Sequence, residues 1–142
     1  MNCAQSETFL HDIQGNAIPI SSLKGKWIII NYWADWCDSC VEEIPELNQF
    51  YQNNQDKNIV ILGVNYDHMP ITELQAAIHK MNIAYPVILE DPASVWPVSE
   101  FDALPATFII GPNGKIMKKI MGENTEESLL TDLHELQKKM QS

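Results

Sequence analysis

The chain has 142 residues, 45% hydrophobic and 20% charged, with nine Lys, no Arg and 19 Asp or Glu giving a formal charge of −10. That is one domain's length with enough apolar residues for a packed core, which excludes a disordered chain, and three Cys are too few for a disulfide-stapled miniprotein. The acidic balance and the lack of Arg argue against nucleic acid and anionic membrane surfaces, because phosphate binding relies on clustered cations.

No apolar run approaches the roughly 18 residues of a spanning helix, and no charged-then-apolar leader precedes Cys3. A soluble polypeptide with a short N-terminal tail is expected. Residues 27–34 (Trp-Ile-Ile-Ile-Asn-Tyr-Trp-Ala) form a nearly continuous β-branched and aromatic run, the pattern of a strand covered on both faces. From about residue 38 to 53, Val41, Ile44, Leu47, Phe50 and Tyr51 recur at helical spacing, with Glu42, Glu43, Glu46 and Asn48 between them. Residues 59–65 repeat the buried-strand pattern, and Leu74, Ala77, Ile78 and Met81 predict a helix over 71–82. Residues 86–89 read as a third short strand. Segments 105–110 and 115–121 flank Pro112-Asn113-Gly114 and read as a hairpin, and Leu129, Leu130, Leu133 and Leu136 give a last helix over 125–139. Strand and helix alternating in this way imply an α/β sandwich, with parallel pairs at the crossovers and an antiparallel hairpin at the end.

Cys37-Asp38-Ser39-Cys40 follows a buried strand and opens a helix. A sulfur on the first helical turn faces unpaired N–H groups and the positive end of the dipole, which favour thiolate. A second sulfur one turn on can close a disulfide or resolve a mixed one with little backbone movement. Cys37 is the exposed, attacking sulfur on this reading and Cys40 the resolving one. A zinc site needs about four ligands, and Cys3, His11, His68, His79 and His134 are not closely spaced, so no metal is assigned.

The segment Asn31-Tyr-Trp-Ala-Asp-Trp-Cys-Asp-Ser-Cys-Val-Glu-Glu-Ile-Pro45 resembles the active-site segment of thioredoxin-fold proteins, specifically the extracytoplasmic TlpA, ResA and CcmG (DsbE) branch. Residues 15–26, with Gly15, Ile18, Ile20, Leu23 and Gly25-Lys26, resemble that branch's N-terminal hairpin and its entry to the first core strand. Leu104-Pro105-Ala106-Thr107-Phe108 and Gly111-Pro112-Asn113-Gly114-Lys115 resemble its cis-proline loop and terminal hairpin, so the likeness covers roughly residues 7 to 140. It implies a thioredoxin-like three-layer sandwich, with a mixed central sheet flanked by helices and an N-terminal hairpin extension, over residues 7–142 after a flexible tail of residues 1–6.

The resemblance also implies roles. Pro105 matches the cis-proline opposite the dithiol, where the backbone of Leu104 pairs with substrate; the sequence alone leaves cis and trans open. Trp36 matches the aromatic that flanks the nucleophile. Glu43 matches the carboxylate near the buried sulfur, where it relays a proton to Cys40 if burial raises its pKa; without the resemblance, a solvated helix Glu is the plainer reading. Asn31 stands where cytoplasmic thioredoxins have a buried Asp, and since Asn transfers no proton, the role of Glu43 gains weight. Asp38 beside Cys37 opposes the thiolate, which makes the disulfide harder to reduce and points to a reductant.

The expected function is a thiol–disulfide oxidoreductase of the cell envelope that reduces protein disulfides, as in cytochrome c maturation, with no cofactor beyond the Cys37–Cys40 disulfide. Implied partners are protein thiols and disulfides, apocytochrome c among them, and a membrane electron donor of the DsbD or CcdA type; a monomer is expected. An oxidase or isomerase and a copper-handling module are the rival readings. Asp35, Asp38, Glu42, Glu43 and Glu46 put five carboxylates around the dithiol, either a solvated helix face or a negative rim that selects basic partners. Three readings of Cys3 stay open: the lipidated first residue of a mature lipoprotein, the end of a removed membrane anchor, or an adventitious thiol.

Overall fold

A computed structural model describes residues 8–55 and 57–141. Its strands are β1 (Phe9–His11), β2 (Ala17–Pro19), β3 (Trp27–Trp33), β4 (Ile59–Asn65), β5 (Ala106–Ile110) and β6 (Ile116–Met121), and its helices α1 (Asp38–Asn53), α2 (Ile71–Met81) and α3 (Glu126–Gln141). The tail read over residues 1–6, Cys3 included, lies outside the described residues.

Four strands pair into one sheet of order β4-β3-β5-β6, and β1 pairs with β2 as a separate hairpin. All seven residues of β3 are buried, as its unbroken apolar run requires for a strand with neighbours on both edges. β4 lies parallel to β3, from Trp27 opposite Ile59 to Trp33 opposite Asn65. A parallel pair needs a crossover, and α1 supplies it. β5 runs antiparallel to β3 and β6 antiparallel to β5. The β5–β6 turn uses Gly114 at φ 81°, a conformation that favours glycine.

Alternation along β3 divides the core in two. Trp27, Ile29 and Trp33 join Ile44, Leu47 and Phe50 of α1, Leu74 and Ala77 of α2, and Leu129, Leu133 and Leu136 of α3. Ile28, Ile30 and Tyr32 point the other way, to Leu10, Leu23, Trp96, Phe108 and Ile110. The three helices thus share one buried cluster, and the opposite side of the sheet is covered by the hairpin, two 3₁₀ turns and the connection before β5.

The expected strand over 86–89 is absent. Pro86 has no N–H to add to a ladder, and the segment makes single bridges instead. Gly63 N–H donates to the Pro86 carbonyl at 2.7 Å and Ile88 N–H to that of Gly63 at 2.9 Å. On its other edge, Ile13 N–H donates to the Val87 carbonyl and Leu89 N–H to that of His11, both at 2.9 Å. The segment therefore straps the hairpin to β4.

Gly63 is where this strap presses closest. A Cβ there would stand 2.8 Å from Tyr85 Cε1 and 3.3 Å from both Trp33 Nε1 and Val87 Cγ2. Tyr85 is 2% exposed, so its ring has nowhere to retreat. Gly63→Ala is expected to destabilise the protein by about 1–3 kcal/mol through overpacking. Urea unfolding measures this, and an unchanged midpoint would show that the Tyr85 ring is not held against the strand.

Candidate active site

β3 delivers the chain to the dithiol. After Trp33 the backbone leaves the sheet, and Cys37 becomes the N-cap of α1 in extended conformation. Its Sγ accepts a hydrogen bond from the Cys40 N–H at 3.2 Å, filling one of the orphan donors at the helix start. Cys37 and Cys40 are joined as a disulfide, with their Cα atoms 5.2 Å apart. Cys37 is 8% exposed against 1% for Cys40. The expected order of accessibility holds, but Cys37 is recessed rather than exposed, because its sulfur folds back over the first helical turn to reach Cys40.

One helical turn beyond Cys40, Glu43 is 1% exposed, so the reading of a solvated helix residue does not hold. Oε1 accepts from Asn31 Nδ2 at 3.0 Å. Oε2 accepts from the backbone N–H of Asn124 at 2.7 Å and from its Nδ2 at 2.9 Å. The same two amides donate to Thr107 Oγ1, Asn31 at 3.1 Å and Asn124 at 3.2 Å. Burial pushes the Glu43 carboxyl above its ordinary value; hydrogen bonds from Asn124 and Asn31 pull the other way, and the charge of Glu123 adds to the rise. Tyr85, whose hydroxyl donates to Asn31 Oδ1 at 3.4 Å, is also pushed up, first by burial and then by the charge of Glu43.

Above the disulfide lies a groove of about 280 Å3 lined by Trp36, Cys37, Tyr66, Phe101, Asp102, Ala103 and Leu104. Trp36 is 62% exposed, and its Nε1 donates to Asp67 Oδ2 at 2.8 Å, which fixes the ring beside the sulfur. The Trp36, Tyr66 and Phe101 rings meet edge to face, with centroids 6.4 and 6.1 Å apart. Leu104 lines the groove, the Leu104–Pro105 peptide bond is cis, and the Pro105 carbonyl accepts from Gly122 N–H at 2.8 Å.

The five-carboxylate run divides by function of position. Asp35, Asp38 and Glu42 are exposed, Glu43 is buried, and Glu46 Oε1 accepts the N–H of Glu126 at 2.8 Å, at the start of α3. Carboxylates distant in sequence join them at the surface: Asp67, which holds Trp36, Asp102 in the groove, and Glu123 beside Glu42 and Ser39. Lost hydration, then the hydrogen bond and charge of Glu42, hold Glu123 above the usual carboxylate range.

The sequence reading missed Tyr66, Phe101, Thr107, Tyr85 and Asn124. Tyr66 follows the C-terminal end of β4, the sheet edge where α/β sites gather, and that position was its one signal. Asn124 stands in Gly122-Glu-Asn-Thr125, which reads as a turn and helix cap. Among the described residues, no three His, Cys, Asp or Glu side chains come together to hold a metal ion.

Residues 4–119 match the AhpC/TSA family. The chain is 30% identical over 118 residues to the thiol-disulfide oxidoreductase ResA of Bacillus cereus, covering 83% of this chain and 68% of that protein. It is 32% identical over 124 residues to ResA of Bacillus subtilis, covering 84% of this chain and 66% of that protein. Among solved structures, StoA of Bacillus subtilis superposes with a TM-score of 0.71 at 22% identity, over 90% of this chain and 96% of that one. A DsbF homologue from Corynebacterium diphtheriae gives a TM-score of 0.73 at 18% identity, over 92% of this chain and 84% of that one. With the thioredoxin-like fold and the paired sulfurs at the head of α1 already in place, this chain belongs to the AhpC/TSA family.

Proposed function

We propose that the protein is a thiol–disulfide oxidoreductase that reduces disulfides of other proteins in the cell envelope. One observation carries the reading: the Cys37 sulfur caps α1 at the mouth of an aromatic groove, while its partner Cys40 lies sealed beneath it. The Cys37 thiolate, favoured by the helix N-terminus, attacks a substrate disulfide. Cys40 then attacks the Cys37 sulfur and releases the reduced product. Trp36 and the backbone of Leu104, set by the turn at Pro105, hold the substrate segment across the groove. Glu43 takes the proton of Cys40, because only a base close to the buried thiol can do so without solvent.

Electrons flow outward on this reading. Asp38, one residue from Cys37, disfavours the thiolate and so stabilises the disulfide form of the protein. The dithiol is then restored by a membrane donor of the DsbD or CcdA kind, and apocytochrome c cysteines are the favoured substrate. The similarity to the ResA thiol-disulfide oxidoreductases supports the chemistry.

Equilibration with glutathione measures the reduction potential of the pair. A value well below that of a strong oxidant, about −120 mV, is expected, and a value near it would reverse the direction of flow. Cys40→Ala is expected to accumulate a mixed disulfide between Cys37 and its substrate, visible on non-reducing gels of envelope extracts, and Cys37→Ala to accumulate none. Capture by the Cys37 variant instead would exchange the roles of the two sulfurs. Glu43→Gln is expected to slow insulin reduction by about 100-fold at neutral pH, the low end of what proton transfer contributes. Because the Glu43 carboxyl titrates above its ordinary range, the wild-type rate falls as pH drops through that raised value, and the Gln variant loses this step. A variant with unchanged rate and profile would remove Glu43 from the reaction.

A further inference from the structure

Glu43 has two oxygens, and the fold treats them differently. Oε2 accepts two hydrogens, both from Asn124, at 2.7 and 2.9 Å. Oε1 accepts one, from Asn31, at 3.0 Å. A carboxylate oxygen offers two in-plane lone pairs, so among the described residues both pairs of Oε2 have donors and one pair of Oε1 does not. The amides cannot turn away to change this. Each sends its other hydrogen to Thr107 Oγ1, using both lone pairs of that hydroxyl, and Asn31 Oδ1 faces the Tyr85 hydroxyl.

We propose that Oε1 of Glu43 is the atom that takes the proton of Cys40, and that Asn124 is the positioning residue that reserves it for this by saturating Oε2. This rests on the reading of Glu43 as proton carrier. In the step, the S–H bond of Cys40 breaks, an O–H bond forms at Oε1, and the electron pair stays on sulfur. The Cys40 thiolate attacks the Cys37 sulfur of the mixed disulfide. The Cys37–Cys40 bond forms, the bond from Cys37 to substrate breaks, and the substrate thiolate leaves with the electron pair and is protonated by solvent. Oε1 later returns its proton to solvent.

The charged and titratable groups that act on the carboxyl are Tyr85, from the segment after α2, and Glu123, from the β6–α3 connection and itself beside Glu42; Cys40 lies one turn before Glu43 on the same buried side of α1. Among the described residues, Asn124 alone donates to Oε2. The Asn124 amide stabilises the ionised carboxylate, so removing it favours the protonated form.

The test follows the pH dependence of product release from a preformed mixed disulfide between Cys37 and a model cysteine peptide. Asn124→Ala keeps the backbone donor and loses the side-chain one. Its pH midpoint is expected about one unit above wild type, with release about tenfold slower at neutral pH and recovering at higher pH. The Glu43 carboxyl carbon, followed by 13C NMR titration, is expected to move in step. If Asn124→Ala does not fold, Thr107→Val, nearly isosteric, frees both amides and is expected to shift the midpoint in the same direction by less. A folded variant that loses thermal stability without moving the midpoint would reduce Asn124 to a structural part and overturn the proposal, while loss of the transition in Glu43→Gln would still support the proton carrier. Persistence of the transition in Glu43→Gln would overturn both.

Discussion

Placing a carboxylate in the interior, with no cation beside it among the described residues, sets the terms for everything around the dithiol. An ionised group there loses its hydration at a cost of several kcal/mol, and among the described residues the compensation for Glu43 is three N–H donors. Those donors come from β3 and from the connection between β6 and α3, and their shared anchor, Thr107, comes from β5. The β3–β5 register makes this possible, because it sets Asn31 directly opposite Thr107. One closed circuit of hydrogen bonds therefore fixes α1 to three other parts of the sheet layer. The helix that presents the sulfurs is located by the same contacts that hold the Glu43 carboxyl.

The two sides of the disulfide are chemically opposed. Below it, the surroundings are dry and polar, a network of amides and one carboxyl in which any change of charge is strongly felt. Above it, the surroundings are open and aromatic, with carboxylates at the edge of the groove whose influence is screened by solvent. One disulfide thus divides an open aromatic groove from a buried polar network. The Trp36 ring belongs to the upper side and is held there by Asp67, a residue contributed by the loop after β4.

Local signals in the sequence were sufficient for most of the framework. The apolar run that became β3 and the helical spacing of α1 are written into consecutive residues, so their boundaries could be read directly. Residues 86–89 have the composition of a strand, but Pro86 and the single glycine they approach limit them to isolated bridges, which depends on contacts with residues 63 and 13 rather than on the segment itself. Cys37 and Cys40 were legible for the same local reason as α1. Glu43 was not, since three residues after Cys40 a glutamate looks like its exposed neighbour Glu42; its burial is decided by Asn124, 81 residues away. Tyr66 and Phe101 escaped for the same reason, being brought to one groove by the sheet.

Glu43 and Glu46 lie one turn apart on α1 and reach residues 124 and 126, so one face of the helix is matched rung by rung to the start of α3. Surface connections ordinarily absorb inserted or deleted residues. The connection at 122–125 does not. Adding or removing a single residue there would slide both rungs at once, leave Oε2 unfilled and the first N–H of α3 bare. The length of this short loop is thus as constrained as the identity of a core residue, and chain-length variation among folded descendants of this sequence would have to fall elsewhere.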